Sequence, residues 1–363
     1  MGRAYNFCAG PAALPETVLR QAQSELLEWG GERASVMEVS HRGAAFEALV
    51  ARAEADLRTL LDIPDDYAVL FLQGGATQQF ALLPMNLAAA GQGAQYLVTG
   101  HWSRRAVEEA RPHARVEVLA DTADPEGRYT GLGGLDGLDP DPSAAYLHYC
   151  HNETIQGVEF PAPPEAGPLP LVGDFSSTIL SRPMDVRRFG VIYAGAQKNI
   201  GPSGLALVIV RRDLLERAGQ PRARILTWAA HAAAGSLLNT PPTFAVYLTS
   251  LVLEWLKEMG GLEVMGAVNQ RKAQALYRAI DGSDGFYRNT VDPATRSWMN
   301  IPFFLHDERL MDPFLVQSRE AGLLALKGHK AVGGLRASLY NAMPEAGVSA
   351  LVAFMDDFAR RHG

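Results

Sequence analysis

Six short segments constrain this chain more than any other feature: AVLFL (68–72), QYLVT (95–99), AAYLHY (144–149), PLVGDF (170–175), VIYAGA (191–196) and LALVIV (205–210), alternating with helical stretches. A strand with one wet face alternates apolar and polar residues, and these do not. Both faces therefore need cover, which a mainly parallel sheet between layers of helices supplies. The expected class is α/β.

Periodicity fills in the rest. Pro15 opens a helical pattern from Glu16 to Trp29, with Val18, Leu19, Ala22, Leu26 and Trp29 at helical spacing. PPTFAVYLTSLVLEWLKEMGG (241–261) begins on prolines and stops at glycines, as a long buried helix does. MNIPFFL (299–305), GLLAL (322–326) and GLRASLY (334–340) read as strands and EAGVSALVAFMDDFARR (345–361) as an amphipathic helix, a smaller α+β unit. The expected division is a large domain over 16–261 and a small one formed by 1–15 and 262–363. Residues 132–142 and the Pro-rich PAPPEAGPLP (161–170) read as loops of the large domain.

The chain's 363 residues can bury two cores. Its net charge of −7 comes without a basic run, which argues against nucleic acid and requires any bound anion to be held by a local cluster. Cys8 and Cys150 fit no metal or disulfide spacing, so no metal site is expected and a reducing compartment is. No signal-peptide pattern and no apolar run of roughly 18 residues is present, so the expectation is a cytoplasmic protein without a membrane partner.

GVIYAGAQKNIGPSG (190–204) breaks from an apolar strand into small residues around Lys198. That places the lysine at the carboxyl edge where open α/β sheets bind ligands, with Gly195, Gly201 and Gly204 leaving room for a close approach. Another strand, LVGDF, delivers Asp174 to a comparable edge. A lysine amine for a Schiff base and a carboxylate to keep a pyridine ring protonated are what pyridoxal 5′-phosphate (PLP) chemistry needs. LFLQGGATQQFALL supplies a strand, Gly74-Gly75-Ala76-Thr77 and a helix, the arrangement of an anion site at a helix N-terminus. Trp102 follows a further strand end, placed to stack on a flat ring.

With these motifs the chain resembles the phosphoserine aminotransferases, a family of the class V aminotransferase group with the PLP-dependent transferase fold type I. NFCAGPAALP, SVMEVSHRG, HYCHNETIQG, DFSSTILSRP, YAGAQKNIGPSG, NTPPTF and ALKGHKAVGGLRASLYNAMP carry the resemblance nearly end to end. It implies that Lys198 holds PLP covalently, Asp174 pairs with the pyridine nitrogen, Trp102 stacks on the ring and Thr154 bonds the phenolic oxygen. Ala76, Thr77 and Gln197 would hold the cofactor phosphate, with Asn239 and Thr240 arriving from the other subunit of a homodimer. His41, Arg42, His329 and Lys330 would surround the substrate phosphate or the glutamate side-chain carboxylate, and Arg336 would clamp the α-carboxylate through two parallel bonds.

The implied reaction moves the amino group of L-glutamate to 3-phosphooxypyruvate, giving O-phospho-L-serine and 2-oxoglutarate in serine biosynthesis. A pyridoxine-pathway substrate, 4-phosphohydroxy-L-threonine, is also compatible. Some members carry Arg where this chain has Thr77 and Lys330, and Pro where it has His151. The alternatives are another class V enzyme such as a cysteine desulfurase or lyase, a nucleotide-binding domain using GGAT, and a non-catalytic binding protein on the same fold. A desulfurase needs a reactive thiol on a mobile loop, whereas Cys8 and Cys150 lie in transaminase-like motifs. A nucleotide site lacks both GxGxxG and GxxxxGK[ST].

Overall fold

The computed structural model describes residues 2–135, 137–217 and 223–363. Its main sheet has seven strands in the spatial order Tyr67–Gln73, Leu205–Arg211, Val191–Gly195, Leu171–Asp174, Leu147–Cys150, Gly93–Val98 and Arg115–Asp121. Leu205–Arg211 runs antiparallel to both neighbours, and every other pairing is parallel. The remaining strands therefore share one direction, and their carboxyl ends line one edge of the sheet.

Both faces of the sheet are covered, as the unbroken apolar strands require. Val69 and Phe71 point to one side, where Leu49 and Leu57 of the Ala44–Leu61 helix and Leu251 of the Thr243–Glu258 helix pack. Leu70 and Leu72 point to the other, against Phe80 and Leu83 of the Ala76–Leu87 helix and Val107 of the His101–Ala110 helix. Each such side chain contributes about 1.5–3 kcal/mol when fully buried, so the strand ends are anchored on a stiff platform.

A second core surrounds the antiparallel strands Tyr287–Arg288, Asn300–Leu305 and Leu335–Ser338. It gathers Phe7, Phe303, Leu335, Leu351 and Phe358, with the helices Gly261–Asp281, Met311–Glu320 and Glu345–His362. A buried polar seam joins the two sheets. Asn152 Nδ2 donates to Ser177 Oγ and to Asn300 Oδ1, both at 2.9 Å, and Asn300 Nδ2 donates to Ser338 Oγ and Tyr340 Oη. Tyr340 Oη then donates to the Ala9 carbonyl.

Several elements differ from the sequence expectation. The first helix stops at Ser24, because Leu26 and Leu27 face solvent and Trp29 reaches the core from a turn, edge-on to Tyr247. GLLAL contributes only Leu323–Leu324, paired in parallel with Tyr5–Asn6. Arg115–Asp121 is an additional edge strand, and its charged, partly exposed residues carry none of the apolar signature of the inner strands.

Candidate active site

Lys198 sits in a tight turn just beyond the Val191–Gly195 strand, where the N–H groups of Lys198 and Gly201 both donate to the Ala196 carbonyl. Its side chain is half-buried, and Nζ donates to Thr154 Oγ1 at 2.7 Å. Burial lowers the lysine pKa; Asp174 pulls it back up, and Arg336 pushes it down. The outcome is an amine that loses its proton more readily than a solvated lysine.

Asp174 ends the adjacent strand and is 5 % exposed. Its Oδ1 accepts from the Ser176 N–H at 2.9 Å and from Ser176 Oγ at 2.6 Å. Ser176 Oγ also receives the Gly195 N–H, tying this carboxylate to the lysine strand. Among the described residues Oδ2 takes no hydrogen bond, so one oxygen is free for a donor in the cleft. Burial raises the Asp174 pKa, while the Ser176 bonds and Lys198 lower it.

Around this pair the carboxyl edge assembles other predicted residues. The Ala76–Leu87 helix starts directly after the first strand, and the N–H groups of Ala76 and Thr77 have no acceptor within the helix. Gly74 makes the turn with φ +109, a backbone conformation that residues with a Cβ rarely adopt. Gln197 is half-buried beside Gly195, and its carbonyl accepts from the Ala12 N–H. Trp102 is half-buried, with an enclosed indole N–H that has no partner. Arg336 Nη1 donates to the Thr154 carbonyl at 3.2 Å, so Thr154 meets the lysine through its hydroxyl and the guanidinium through its backbone.

His329 lies close to Arg336 and Lys330. Its Nδ1 accepts from the Ala331 N–H at 3.2 Å, leaving the proton of a neutral ring on Nε2. Burial, Arg336, His101 and Lys330 all lower its pKa. His41 and Arg42 contact each other at 3.4 Å, and no hydrogen bond among the described residues joins them to Lys198, His329 or Arg336. Asn239 is likewise outside the cluster: its Nδ2 donates to Gln73 Oε1 at 2.9 Å, and Thr240 is exposed.

Glu153 was not singled out by sequence, yet it is 0 % exposed. Its Oε2 accepts from the Trp102 N–H at 2.8 Å and its Oε1 from the Ser103 N–H at 2.9 Å, capping the helix that presents the indole. A Cβ at Gly100 would fall 2.4 Å from this carboxylate. A charged residue in the buried HYCHNETIQG run was the available signal. Cys150, opposite Asp174 in the sheet, is buried with its thiol pKa pushed well up, unlike the activated thiol of a desulfurase.

This constellation fits PLP: a half-buried lysine amine, a carboxylate with one free oxygen, an indole face and a helix start with open N–H donors. A class-V aminotransferase family model matches residues 4–351. The chain belongs to the class-V aminotransferases. A phosphoserine aminotransferase of Xanthomonas campestris pv. campestris (strain B100) is 60 % identical over 363 residues, covering all of both chains. Among solved structures, phosphoserine aminotransferase from Bacillus circulans subsp. alkalophilus matches with TM-score 0.96 at 48 % identity, covering 99 % of each chain. The PLP-bound phosphoserine aminotransferase of Trichomonas vaginalis matches with TM-score 0.92 at 40 % identity, covering 98 % of this chain and 100 % of that one. As a class-V aminotransferase of this likeness, the chain has the fold type I architecture and uses PLP. Among the described residues no helix is long and apolar enough to cross a membrane, and no His, Cys, Asp and Glu group is arranged for a metal.

Proposed function

We propose that this class-V aminotransferase transfers the amino group of L-glutamate to 3-phosphooxypyruvate, forming O-phospho-L-serine and 2-oxoglutarate. The observation that carries this reading is the Lys198–Asp174 pair on a sheet edge that also faces the basic side chains of His329, Lys330 and Arg336. Full-length relatives bearing the phosphoserine aminotransferase name support the same substrate.

Bound PLP supplies an aldehyde that carries the amino group and a protonated ring that draws electrons from the substrate Cα. Asp174, with Oδ2 uncommitted, would hold the protonated ring nitrogen, a bond that burial would strengthen. Trp102 would stack on the ring, Thr154 would serve the phenolic oxygen, and Ala76, Thr77 and Gln197 would hold the phosphate. Lys198 Nζ, poised by burial to lose its proton, takes the Cα proton of glutamate and later returns one to the new amino acid. Arg336 grips the α-carboxylate shared by both substrates. His329 and Lys330 serve the distal anion.

The same reading assigns His41, Arg42, Asn239 and Thr240 to the site of a partner subunit in a homodimer. It keeps the division into 16–261 and 1–15 with 262–363, a large and a small lobe meeting at the cleft, and a cytoplasmic setting. A panel of keto acids with glutamate as donor tests the assignment, alongside borohydride reduction and peptide mapping. Strong preference for 3-phosphooxypyruvate over pyruvate, with the label on Lys198, is expected. Equal turnover of the two acceptors would refute it.

A further inference from the structure

His101 opens the His101–Ala110 helix, one residue before the indole that faces the cofactor. Its ring lies edge-on to Trp102 at 5.3 Å and 5.7 Å from the ring of His329, between centroids. The backbone N–H donates to Gln156 Oε1, which fixes the residue at the helix start. Among the described residues neither ring nitrogen of His101 has a hydrogen-bond partner. His101 also belongs to the groups that depress the His329 pKa, with Arg336 and Lys330. Four basic side chains from three segments thus converge on one space.

No carboxylate balances them. On the same helix Arg104 is tied to Asp121, and Arg105 to Glu108 and Glu109. The buried Glu153 spends both oxygens on the Trp102 and Ser103 N–H groups. None of the ion pairs among the described residues includes His101, His329, Lys330 or Arg336. A chain of net charge −7 that leaves such a cluster uncompensated is keeping it for an anion that arrives from solution.

We infer that His101 is a substrate-specificity residue: with His329 it binds the phosphate of the substrate from within the same subunit. The inference rests on the phosphoserine aminotransferase reading and deepens it. Burial, Arg336, the His101 ring and Lys330 all disfavour protonation of His329. A dianion offers each ring a charge-assisted bond and draws a proton onto the pair; a side-chain carboxylate, with half the charge, draws less. His101 therefore favours phosphorylated ligands over dicarboxylates.

The test uses the holoenzyme and two unreactive probes: 3-phosphoglycerate, which has carboxylate and phosphate but no amine or keto group, and glutarate. Calorimetry in buffers of different ionisation enthalpy gives affinity and proton uptake together. For His101→Asn, 3-phosphoglycerate is expected to weaken about tenfold or more, glutarate by less than about threefold, and proton uptake with the phosphate probe to fall. His101→Lys should restore much of the phosphate preference. Unchanged phosphate affinity, or equal weakening of both probes, overturns the role of His101. If the unsubstituted enzyme shows no preference for 3-phosphooxypyruvate over pyruvate, the substrate reading itself fails and this inference falls with it, a result distinct from an inert His101.

Discussion

Replacing Glu153 by Gln alters one atom of a buried side chain and separates its charge from its shape. In the native site each carboxylate oxygen accepts one backbone N–H, from Trp102 and from Ser103. Glutamine keeps one acceptor and turns an NH2 group toward the other N–H in either orientation of the amide. One acceptor is lost and a buried N–H donor is left facing a donor, at about 1–3 kcal/mol. A loss of that size in unfolding free energy is expected by urea titration of the apo protein. Glu165→Gln, which removes an exposed partner of Arg188, is the control and should cost less than about 0.5 kcal/mol.

The pH dependence sharpens the test. Burial raises the folded-state pKa of Glu153, so the native protein binds more protons than the unfolded chain between the ordinary carboxyl value and the raised one. Its contribution to stability is then present at low pH and lost as pH rises through that window. Glu153→Gln has no such titration, so the difference between the two proteins shrinks toward higher pH as far as this ionisation is concerned. Because the same carboxylate positions the helix under Trp102, cofactor affinity and quenching of the indole emission by the cofactor should fall as well. A variant within about 0.5 kcal/mol of the parent, with unchanged indole quenching, would refute the reasoning.

Arg336→Lys should raise KM for both donor and acceptor by roughly tenfold or more, since an ammonium cannot make two parallel bonds to a carboxylate; steady-state kinetics on both half-reactions checks this. Competitive labelling of the apo protein with an amine reagent across pH should give Lys198 a midpoint below the ordinary 10.5, and Asp174→Asn should move it lower still, because Asp174 is the largest influence holding it up. Mixing inactive Lys198→Ala with Arg42→Ala should regain part of the activity after subunit exchange, because one site of the mixed dimer then holds an intact lysine and an intact partner loop; no recovery would remove His41 and Arg42 from the partner's site.

Much of this architecture was legible because the inner strands are apolar on both faces, a pattern few other structures produce. Lys198 and Asp174 could be read because each follows such a strand directly. Arg115–Asp121 could not, since an edge strand protects itself with the charges that also mark loops. The end of the first helix was misplaced because Trp29 is buried by a turn and its position mimics helical spacing. Glu153 and His101 were hidden for another reason. Their partners lie about fifty residues away or further, at Trp102 and His329, and only the sheet order makes them neighbours.

Thr154 shows how the cleft couples its two tasks. Its hydroxyl accepts from the Lys198 amine, and its carbonyl accepts from Arg336, the residue assigned to the substrate carboxylate. Asn152, two residues earlier, bonds Ser177 on one side and Asn300 on the other, and Asn300 continues to Ser338 of the Arg336 strand. The Lys198 amine and the Arg336 guanidinium are therefore tied to one buried hydrogen-bonded segment. Misplacing a reacting group by 1 Å can cost about a hundredfold in rate. A rigid polar seam at this point therefore helps catalysis by holding the amine and the guanidinium in place, whatever it adds to stability.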